Sequence, residues 1–410
     1  MAAIPNAVLT KTACSTKSRT VGALVMGGDY RGLALVRSLG RRGIPVCVIR
    51  QGDQRLAAIS RYATRTLFYP RWGGNEGVDY LLEVGRKYAL DQWLLFPTSD
   101  ESVRLMATHH ERLKEQYQLT VPPWDTLQWA VDKRLMNELA DETGVDHPRT
   151  YYAPNRDAIR SFDLQFPVIL KPAARDQFNR LTVQKAWRLD SMEELLTRYD
   201  EACSFIAPER LMIQEVVPGG GESQFSYAAL CKDGRSLASL VARRTRQFPM
   251  DFGRASTFVE TIDDPGVVCP AERLLYAIRY TGLAEVEFKQ DPRTGQFKLL
   301  DINPRVWGWY PLCARAGIDF TYLLWLMYQD ESVPHVHACT GVRWVRLSTD
   351  FPIAIREILR GRLSIRAYLG SLAGAKVSAI YASDDPWPGL MEFPLLLYLF
   401  AKRLCSGDGI

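Results

Sequence analysis

Polar side chains alternate along the stretch KLLDINPRVWGW, which begins at Lys298. They are Asp301, Asn303 and Arg305. Alternate side chains of a β-strand point to the same face, so a strand here would present a carboxylate, an amide and a guanidinium together. Such a face could bind a cation or an anionic substrate. Trp307 and Trp309 follow it and are candidates to wall the site, or alternatively to pack within a core loop.

A turn sequence, Asp291-Pro292-Arg293-Thr294-Gly295, lies just upstream and predicts an antiparallel hairpin with the preceding run LAEVEFKQ. Each strand alternates apolar and polar residues, so one face is expected in the core and the other opposite it. The apolar set is Val286, Phe288, Leu300 and Ile302. The polar set is Glu285, Glu287, Asp301 and Asn303.

Clustered carboxylates repel one another unless a cation joins them. Hard oxygen ligands of this kind suit Mg²⁺, which prefers carboxylates together with phosphate oxygens of a ligand. The alternative is that this polar set forms the solvated outer face of a sheet. Both interpretations remain open from the hairpin alone.

Two lysines favour a polyphosphate near this hairpin. Lys171 ends the otherwise apolar strand sequence FPVILKPA, where an ammonium group is costly unless it meets an anion. Lys133 opens a predicted helix after the proline-rich sequence VPPWD, and a solvated surface role is the ordinary alternative for it.

The elements that must position these residues can be read along the chain. Residues 20–50 predict a strand, a glycine turn, a helix and a second strand, and such a βαβ unit implies a parallel sheet. Its glycines do not match G-x-G-x-x-G, which weighs against a nicotinamide-dependent oxidoreductase. Asp100 and Glu101 follow a further strand, where they could meet a ligand, cap a helix with Ser99, or do both.

Two further elements have clear boundaries. A helix is predicted over Asp132–Glu142 and ends at Gly144. The sequence FSYAALCKDGRSLASLVARRTRQ predicts a second hairpin, which turns at Lys232-Asp233-Gly234.

Taken in order, these pieces resemble the ATP-grasp superfamily, and more narrowly its carboxylate–amine ligases. The likeness runs from about residue 20 to about residue 330 through VDKRLMNELADETGVDHPRT, FPVILKPA, IQEVVPGGGE and EVEFK…KLLDINPR. The stretch GGGESQFSYAAL…VARRTRQFP resembles the branch of predicted ATP-dependent carboligases that includes D-aspartate ligase. The resemblance implies a fold of the α/β and α+β classes.

The resemblance also implies four segments. Residues 1–19 would be a disordered lead-in, and 20–125 a Rossmann-like pre-ATP-grasp domain. Residues 126–335 would form the ATP-grasp domain, with a lid subdomain at about 165–240, and 336–410 a C-terminal helical extension. A buried C-terminal helix is favoured for the apolar run Phe393–Ala401 over contact with a membrane surface.

By resemblance, each candidate residue acquires a role. ATP phosphates would contact Lys133 and Lys171. The adenine hinge would contain Gln214, Glu215 and Val217, and the ribose hydroxyls would bind Glu222. The ligands of Mg²⁺, or of Mn²⁺ in its place, would be Glu287, Asp301 and Asn303. Catalytic residues would be Arg305, Arg243 and Lys171. The family pattern commonly has Glu where Asp301 stands.

The implied activity is ATP-dependent amide formation between a small-molecule carboxylate and an amine, through an acyl phosphate. Gly219–Gly221 and Phe248–Ser256 are candidate lid segments that would keep water from this intermediate. The alternatives are another ATP-grasp enzyme, carboxylase-like or phosphorylating, and a non-catalytic ATP-binding regulatory module.

Composition limits the partners. The net charge of +5 is too small, and too evenly spread, to favour nucleic acid. The eight cysteines stand singly, which is typical of reduced thiols in a cytoplasmic protein. We expect a homodimer. The basic amphipathic segment IREILRGRLSIRAYLGSLAG is expected to cap the core, with a peripheral membrane or lipid-linked substrate as the bolder alternative.

Overall fold

The structure is a computed structural model of the 410-residue chain. It describes residues 21–69, 73–173, 181, 186–248, 255–374 and 377–406. The predicted lead-in at 1–19 lies outside the described residues, and so do residues 249–254 of the predicted lid segment Phe248–Ser256.

A five-stranded parallel sheet forms the N-terminal part, and the predicted βαβ unit is confirmed. Its spatial order places the first strand in the centre, between the second and the fourth. Asp29 caps the first helix by accepting from the backbone amides of Arg31 and Gly32. The strands are Ala23–Met26, Val46–Arg50, Arg65–Phe68, Trp93–Pro97 and Tyr117–Leu119. The helices are Tyr30–Gly40, Gly74–Tyr88, Asp100–Thr108, His110–Lys114 and Trp124–Val131.

The strand Trp93–Pro97 runs directly into the helix Asp100–Thr108. Ser99 caps this helix in a reciprocal arrangement with Ser102, as the sequence suggested. Because the helix begins at the carboxyl end of a parallel strand, Asp100 lies at the edge of the sheet where ligands bind in α/β folds.

A four-stranded sheet comes next in the chain, and all of its neighbouring strands are antiparallel. Its strands are Thr150–Tyr151, Leu211–Glu215, Val168–Pro172 and Trp187–Leu189, in spatial order. The helices of this part are Lys133–Thr143, Arg156–Ile159 and Met192–Cys203. Asp132 caps the first of them and Gly144 ends it in the left-handed conformation, which confirms the predicted helix.

A seven-stranded sheet carries most of the remaining chain. In spatial order its strands are Phe297–Asn303, Gly282–Gln290, Gln224–Lys232, Arg235–Phe248, Ala255–Ile262, Arg343–Val345 and Val377–Ser378. The predicted turn between Lys232 and Arg235 is confirmed. Asp233 and Gly234 both have positive φ, which defines a type I′ turn. Residues from 224 onwards, part of which the resemblance assigned to a lid subdomain at about 165–240, belong to this larger sheet.

The seven-stranded sheet packs on both faces. One face packs against the helices Lys133–Thr143 and Pro265–Ala277. The other shares a core with the N-terminal sheet, in which Val25 and Leu33 cluster with Trp307 and Trp309. The helices Pro311–Arg315 and Phe320–Tyr328 contribute to this shared core. The polar face of the predicted hairpin thus faces the N-terminal domain rather than bulk solvent.

The C-terminal part contains the helices Leu347–Leu359, Ile365–Ala373 and Trp387–Ser406. The sequence predicted a helical extension, but this part also contains two short strands that extend the seven-stranded sheet. The expectation of a buried helix at Phe393–Ala401 was wrong, since Phe393, Leu397 and Tyr398 are exposed. Within the described ranges, no helix combines the length and apolarity needed to cross a bilayer.

Candidate functional site

The predicted hairpin forms with the predicted polar face. Glu285 pairs with Asn303 and Glu287 with Asp301, so all four side chains lie on one side of the two strands. A β-bulge after Glu287 leaves Leu300 without a paired residue. Leu299 therefore enters the core in place of Leu300, because the bulge shifts the alternation by one residue. We call these two strands, Gly282–Gln290 and Phe297–Asn303, the acidic hairpin.

Arg244 lies between the two glutamates of the acidic hairpin. Its Nη2 is 2.6 Å from Glu287 Oε1 and 3.4 Å from Glu285 Oε1. Asn303 Nδ2 donates to Glu287 Oε1 at 2.7 Å and to Glu285 Oε2 at 3.2 Å. Trp309 Nε1 donates to Glu285 Oε1 at 2.8 Å. The glutamates are thus held by an arginine, an amide and an indole.

Burial and the neighbouring charges both shift the pKa values of Glu285 and Arg244. Burial raises the pKa of Glu285, and repulsion from Glu287 raises it further, while Arg244 opposes both. Burial would lower the pKa of Arg244, but Glu287 and Glu285 outweigh it and raise the pKa above its ordinary value. The guanidinium is therefore fixed in its charged form beside two carboxyl groups.

Lys133 reaches the acidic hairpin from the first residue of its helix. Its Nζ donates to Asp301 Oδ1 at 2.7 Å and lies 3.5 Å from the Leu300 carbonyl oxygen. Its backbone amide donates to the Ala173 carbonyl at 3.2 Å. Ala173 directly follows the strand Val168–Pro172, so Lys133 links the four-stranded sheet to the acidic hairpin.

Arg305 connects the hairpin with the N-terminal domain. Its guanidinium pairs with Asp100, and its Nη2 donates to Asn303 Oδ1 at 3.3 Å. Burial would lower the pKa of Arg305, but Asp100, with Glu285 and Asp301, raises it above its ordinary value. From the sequence, Asp100 could meet a ligand, cap a helix or do both, and the structure places it within this group.

Three of the residues expected to bind the ATP phosphates or adenine, namely Lys171, Gln214 and Glu215, lie on the four-stranded sheet. Lys171 Nζ donates to Gln214 Oε1 at 2.8 Å, and Gln214 Nε2 donates to Thr150 Oγ1 at 2.8 Å. Glu215 pairs with Lys298 of the acidic hairpin. The pair of Glu215 and Lys298 joins the smaller sheet to the acidic hairpin, whereas the contacts of Lys171 and Gln214 lie within the smaller sheet.

Two further adenine and ribose candidates follow on the connecting segment. Val217 is buried, whereas Glu222 is exposed and accepts from the Gly220 backbone amide at 3.0 Å. Gly219 has a φ of 95°, and a Cβ there would lie 2.4 Å from Ser223 Oγ. Glycine is therefore required at this position for the connection to turn.

Arg243, which was predicted to be catalytic, lies on the face of the sheet opposite to this group. It pairs with Phe225, whose side chain belongs to the core on the helix-covered face of the sheet. Strand alternation puts Arg244, instead, on the face of the acidic hairpin. The sequence ARRTR offers two adjacent arginines, and only the register of the strand distinguishes them, so sequence reasoning missed Arg244.

The tryptophans have a mixed role. Trp307 and Trp309 are both buried in the shared core, in contact with each other at 5.4 Å between ring centroids. Trp309 also donates to Glu285, so it both packs the core and holds a site residue. Packing and shielding were alternatives from the sequence, and Trp309 combines packing with a polar contact.

The acidic hairpin suits a hard cation by the chemistry of its oxygen atoms. Among the described residues, no three His, Cys, Asp or Glu side chains are grouped to hold a metal ion. The predicted set, Glu287, Asp301 and Asn303, has two carboxylates and one amide, and Lys133 and Arg244 lie beside the carboxylates here. The ligand assignment stays a prediction, and the oxygen donors fit Mg²⁺.

Comparison with known proteins identifies the fold. A family described as ATP-grasp in the biosynthetic pathway with Ter operon matches residues 207–349, which span the acidic hairpin. The biotin carboxylase of Campylobacter jejuni superposes with a TM-score of 0.62 at 13% identity, over 77% of this chain and 73% of that chain. The chain has the ATP-grasp fold.

Other similar proteins include ligases. The D-aspartate ligase of Enterococcus faecium is 22% identical over 304 residues, which are 69% of this chain and 70% of that ligase. The L-amino acid ligase of Bacillus licheniformis superposes with a TM-score of 0.57 at 14% identity, over 75% of this chain and 74% of that chain. The resemblance stated from the sequence, to the ATP-grasp carboxylate–amine ligases, is confirmed.

Proposed function

We propose that this ATP-grasp protein is an ATP-dependent carboxylate–amine ligase that forms an amide through an acyl phosphate. The proposal depends chiefly on one observation, the convergence of the acidic hairpin with Lys133, Arg244 and Arg305. Four acidic side chains, those of Glu285, Glu287, Asp301 and Asp100, gather around these three cationic side chains. Carboxyl groups held this close together repel one another, and a divalent cation would offset that repulsion.

ATP and Mg²⁺ are the nucleotide and cofactor of this proposal. Glu287, Asp301 and Asn303 would hold the ion, which when bound would neutralise charge on the β- and γ-phosphates. Lys171 would bind phosphate oxygens from the four-stranded sheet. Gln214, Glu215 and Val217 would line the adenine side, and Glu222 would bind the ribose.

The cationic side chains would position the ATP phosphates, the glutamates and the substrate. Lys133 would exchange Asp301 for a phosphate oxygen, because an ammonium group binds phosphate as readily as carboxylate. Arg244 would keep Glu285 and Glu287 in place, since it is fixed between them. Arg305, with a planar fork of donors, would bind the carboxylate or the transferred phosphoryl group. Arg243, on the opposite face of the sheet, is not part of this mechanism.

The reaction would proceed in two displacements. A carboxylate oxygen of one substrate attacks the γ-phosphorus of ATP, the bond to the β,γ-bridging oxygen breaks, and ADP leaves. The amine nitrogen of the second substrate then attacks the acyl carbon, and phosphate leaves with the bonding electrons. The surplus proton of the amine passes to phosphate or solvent, and the products are an amide, ADP and phosphate.

The nature of the substrates is supported by the relatives. D-aspartate ligase and L-amino acid ligase both use amino acids by name, so an amino acid is proposed as one substrate. Gly219–Gly221 and Phe248–Ser256 stay our candidates for a lid that keeps water from the acyl phosphate.

The test is ADP release with ATP and Mg²⁺ across a panel of amino acids and carboxylates. We expect release that requires an amine, and a loss of at least about a thousandfold in the double variant Glu287→Gln with Asp301→Asn, because both carry preorganised charge in the transition state. The matched control is Asp263→Asn with Glu272→Gln, two exposed acids of the same domain. Wild-type turnover in the first variant would contradict the site assignment.

A carboxylase-like reaction is the second candidate, since biotin carboxylase is among the similar structures. Release of ADP that requires bicarbonate, with no amine, would favour it. Tight ATP binding without turnover on either panel would instead favour a regulatory module.

A further inference from the structure

The helix Leu347–Leu359 presents an apolar stripe to solvent. Its exposed residues recur every fourth position, which places them on one side of the helix. They are Leu347, Phe351, Ile355 and Leu359. Leu359 alone is 82% exposed. Scattered exposed apolar residues are ordinary on protein surfaces, but a contiguous stripe of this kind marks an interaction site.

The same helix turns its acids inward. Asp350 is fully buried, and its Oδ1 accepts from Arg246 Nε at 2.8 Å. Glu357 is also buried, and its Oε2 is 2.6 Å from Arg362 Nε. A surface helix usually keeps its charged residues on the solvent side, whereas this helix buries both acids beside Ile353 and Ala354. The sequence has therefore placed an apolar face outside and used buried ion pairs to hold it there.

The two following helices continue this apolar surface. Ile365 and Leu369, one turn apart on the helix Ile365–Ala373, are both exposed. The helix Trp387–Ser406 adds a larger set of exposed side chains. This set is Trp387, Leu390, Met391, Phe393, Leu396, Leu397 and Tyr398. Aromatic residues of this kind are enriched where proteins meet the headgroup region of a bilayer.

The three helices are tied to one another. Arg246 donates through Nη1 to Ser371 at 3.1 Å while it holds Asp350, so the first two helices share an anchor. Ser348 Oγ donates to Glu392 Oε1 at 2.5 Å, which joins the first helix to the third. We call the exposed apolar residues of these helices the C-terminal apolar surface.

Unneutralised positive charge borders this surface. The first two helices and their connection contain four arginines and only two acids, both buried. Arg360 and Arg362 pair with Glu357. Arg356 and Arg366 are exposed, and in the described part of the chain neither has an ion-pair partner. They stand directly beside Ile355 and Ile365, so apolar and cationic groups alternate at the same edge.

We propose that the C-terminal apolar surface binds a lipid bilayer that contains anionic headgroups, with the helices lying in the interface. The apolar side chains would enter the boundary between headgroups and acyl chains, while Arg356 and Arg366 bind the headgroups. None of the described helices is long and apolar enough to cross the bilayer, which agrees with an interfacial rather than a spanning arrangement. The proposal does not depend on the proposed ligase activity.

Charge favours a bilayer over a second copy of the chain. In a two-fold symmetric contact the same patch meets itself, so Arg356 and Arg366 would approach the same cationic edge of the partner. No exposed acid on the first two helices would neutralise them. Anionic headgroups supply the complementary charge without this repulsion.

The test is co-sedimentation of the full chain with vesicles of phosphatidylcholine alone or mixed with phosphatidylglycerol. We expect at least about tenfold more protein on the mixed vesicles at low salt, with less at high salt, because anionic lipid attracts the arginines. The variant Leu359→Ser with Ile365→Ser should lose most binding to both vesicles. Tyr276→Ser, which replaces an exposed aromatic residue outside this surface, should bind like the wild type.

A charge variant separates the two contributions. Arg356→Glu with Arg366→Glu should abolish the preference for phosphatidylglycerol, whereas Arg86→Glu with Arg235→Glu, at exposed sites elsewhere, should keep it. Absence of wild-type binding to mixed vesicles would overturn the proposal. A dimer of the 46.5 kDa chain that Leu359→Ser dissociates, without vesicle binding, would overturn it too and identify a second copy as the occupant.

Discussion

Two arginines on the strand Arg235–Phe248 bind carboxylates in different regions of the molecule. Arg244 reaches the acidic hairpin, where it meets both Glu285 and Glu287. Arg246 reaches the first C-terminal helix, where it meets Asp350 through two hydrogen bonds of 2.8 Å. A bulge between the two arginines separates their surroundings.

The surroundings of the two arginines differ in how many carboxyl groups each arginine faces. Arg246 and Asp350 balance one to one, and Thr257 Oγ1 adds a hydrogen bond to the same carboxylate at 2.8 Å. Arg244 instead faces two carboxyl groups, so it does not balance them one to one by itself. A balanced buried pair needs nothing further, whereas an unbalanced one is stabilised by an additional cation. The first arrangement therefore suits structure, and the second suits binding.

The largest effect is expected where the balanced pair is broken. Asp350→Ala leaves Arg246 buried without its carboxylate, so we expect the free energy of unfolding to fall by about 3–5 kcal/mol. ADP release per folded molecule should change little, because Asp350 lies outside the acidic hairpin. Urea unfolding followed by tryptophan fluorescence measures the first quantity.

A second variant tests whether the unpaired charge of Arg246 causes the loss of stability. Asp350→Ala combined with Arg246→Met removes both charges and should recover a large share of the lost stability. A double variant that is no more stable than Asp350→Ala alone would show that packing, rather than the unpaired charge, causes the loss.

At the unbalanced site the expected change is in rate. Arg244→Met should lower ADP release by about 10²–10³-fold, because Glu285 and Glu287 lose the guanidinium that positions them. Arg243→Met, at the adjacent residue, should stay within about twofold of the wild type, because strand alternation directs its side chain to the opposite face from the acidic residues. Equal losses in the two variants would contradict the strand register.

A smaller effect is expected at the turn of the acidic hairpin. The Arg293 guanidinium beside Asp291 lowers the pKa of that carboxyl to about 2. Because this pKa lies below the unfolded value, the stabilisation is present above about pH 4 and is lost as the pH falls towards 2. Asp291→Asn should cost about 1 kcal/mol at pH 7 and almost nothing near pH 2, as measured by urea unfolding at both values.

Much of this comparison was predictable from the sequence. Period-two alternation and a turn sequence placed Glu285, Glu287, Asp301 and Asn303 on one face, because a slip would have buried them. The helix that begins at Lys133 also followed from its boundary residues. These are local signals, since each depends on residues close together in the chain.

The rest depends on contacts between distant segments. The choice between Arg243 and Arg244 requires the register of a strand with several irregularities, and a bulge exchanged Leu300 for Leu299. The pairing of Asp100 with Arg305 joins residues 205 positions apart. The outward apolar stripe was also missed, because an amphipathic pattern does not state which of its sides faces the core.

The contact between Asp100 and Arg305 has a consequence for selectivity. The protein already supplies an anion to the arginine that is proposed to grip the substrate. In the proposed mechanism, an incoming acid would compete with this resident carboxylate for the guanidinium. The side chain of Asp100 would then act as a tethered competitor for the same guanidinium.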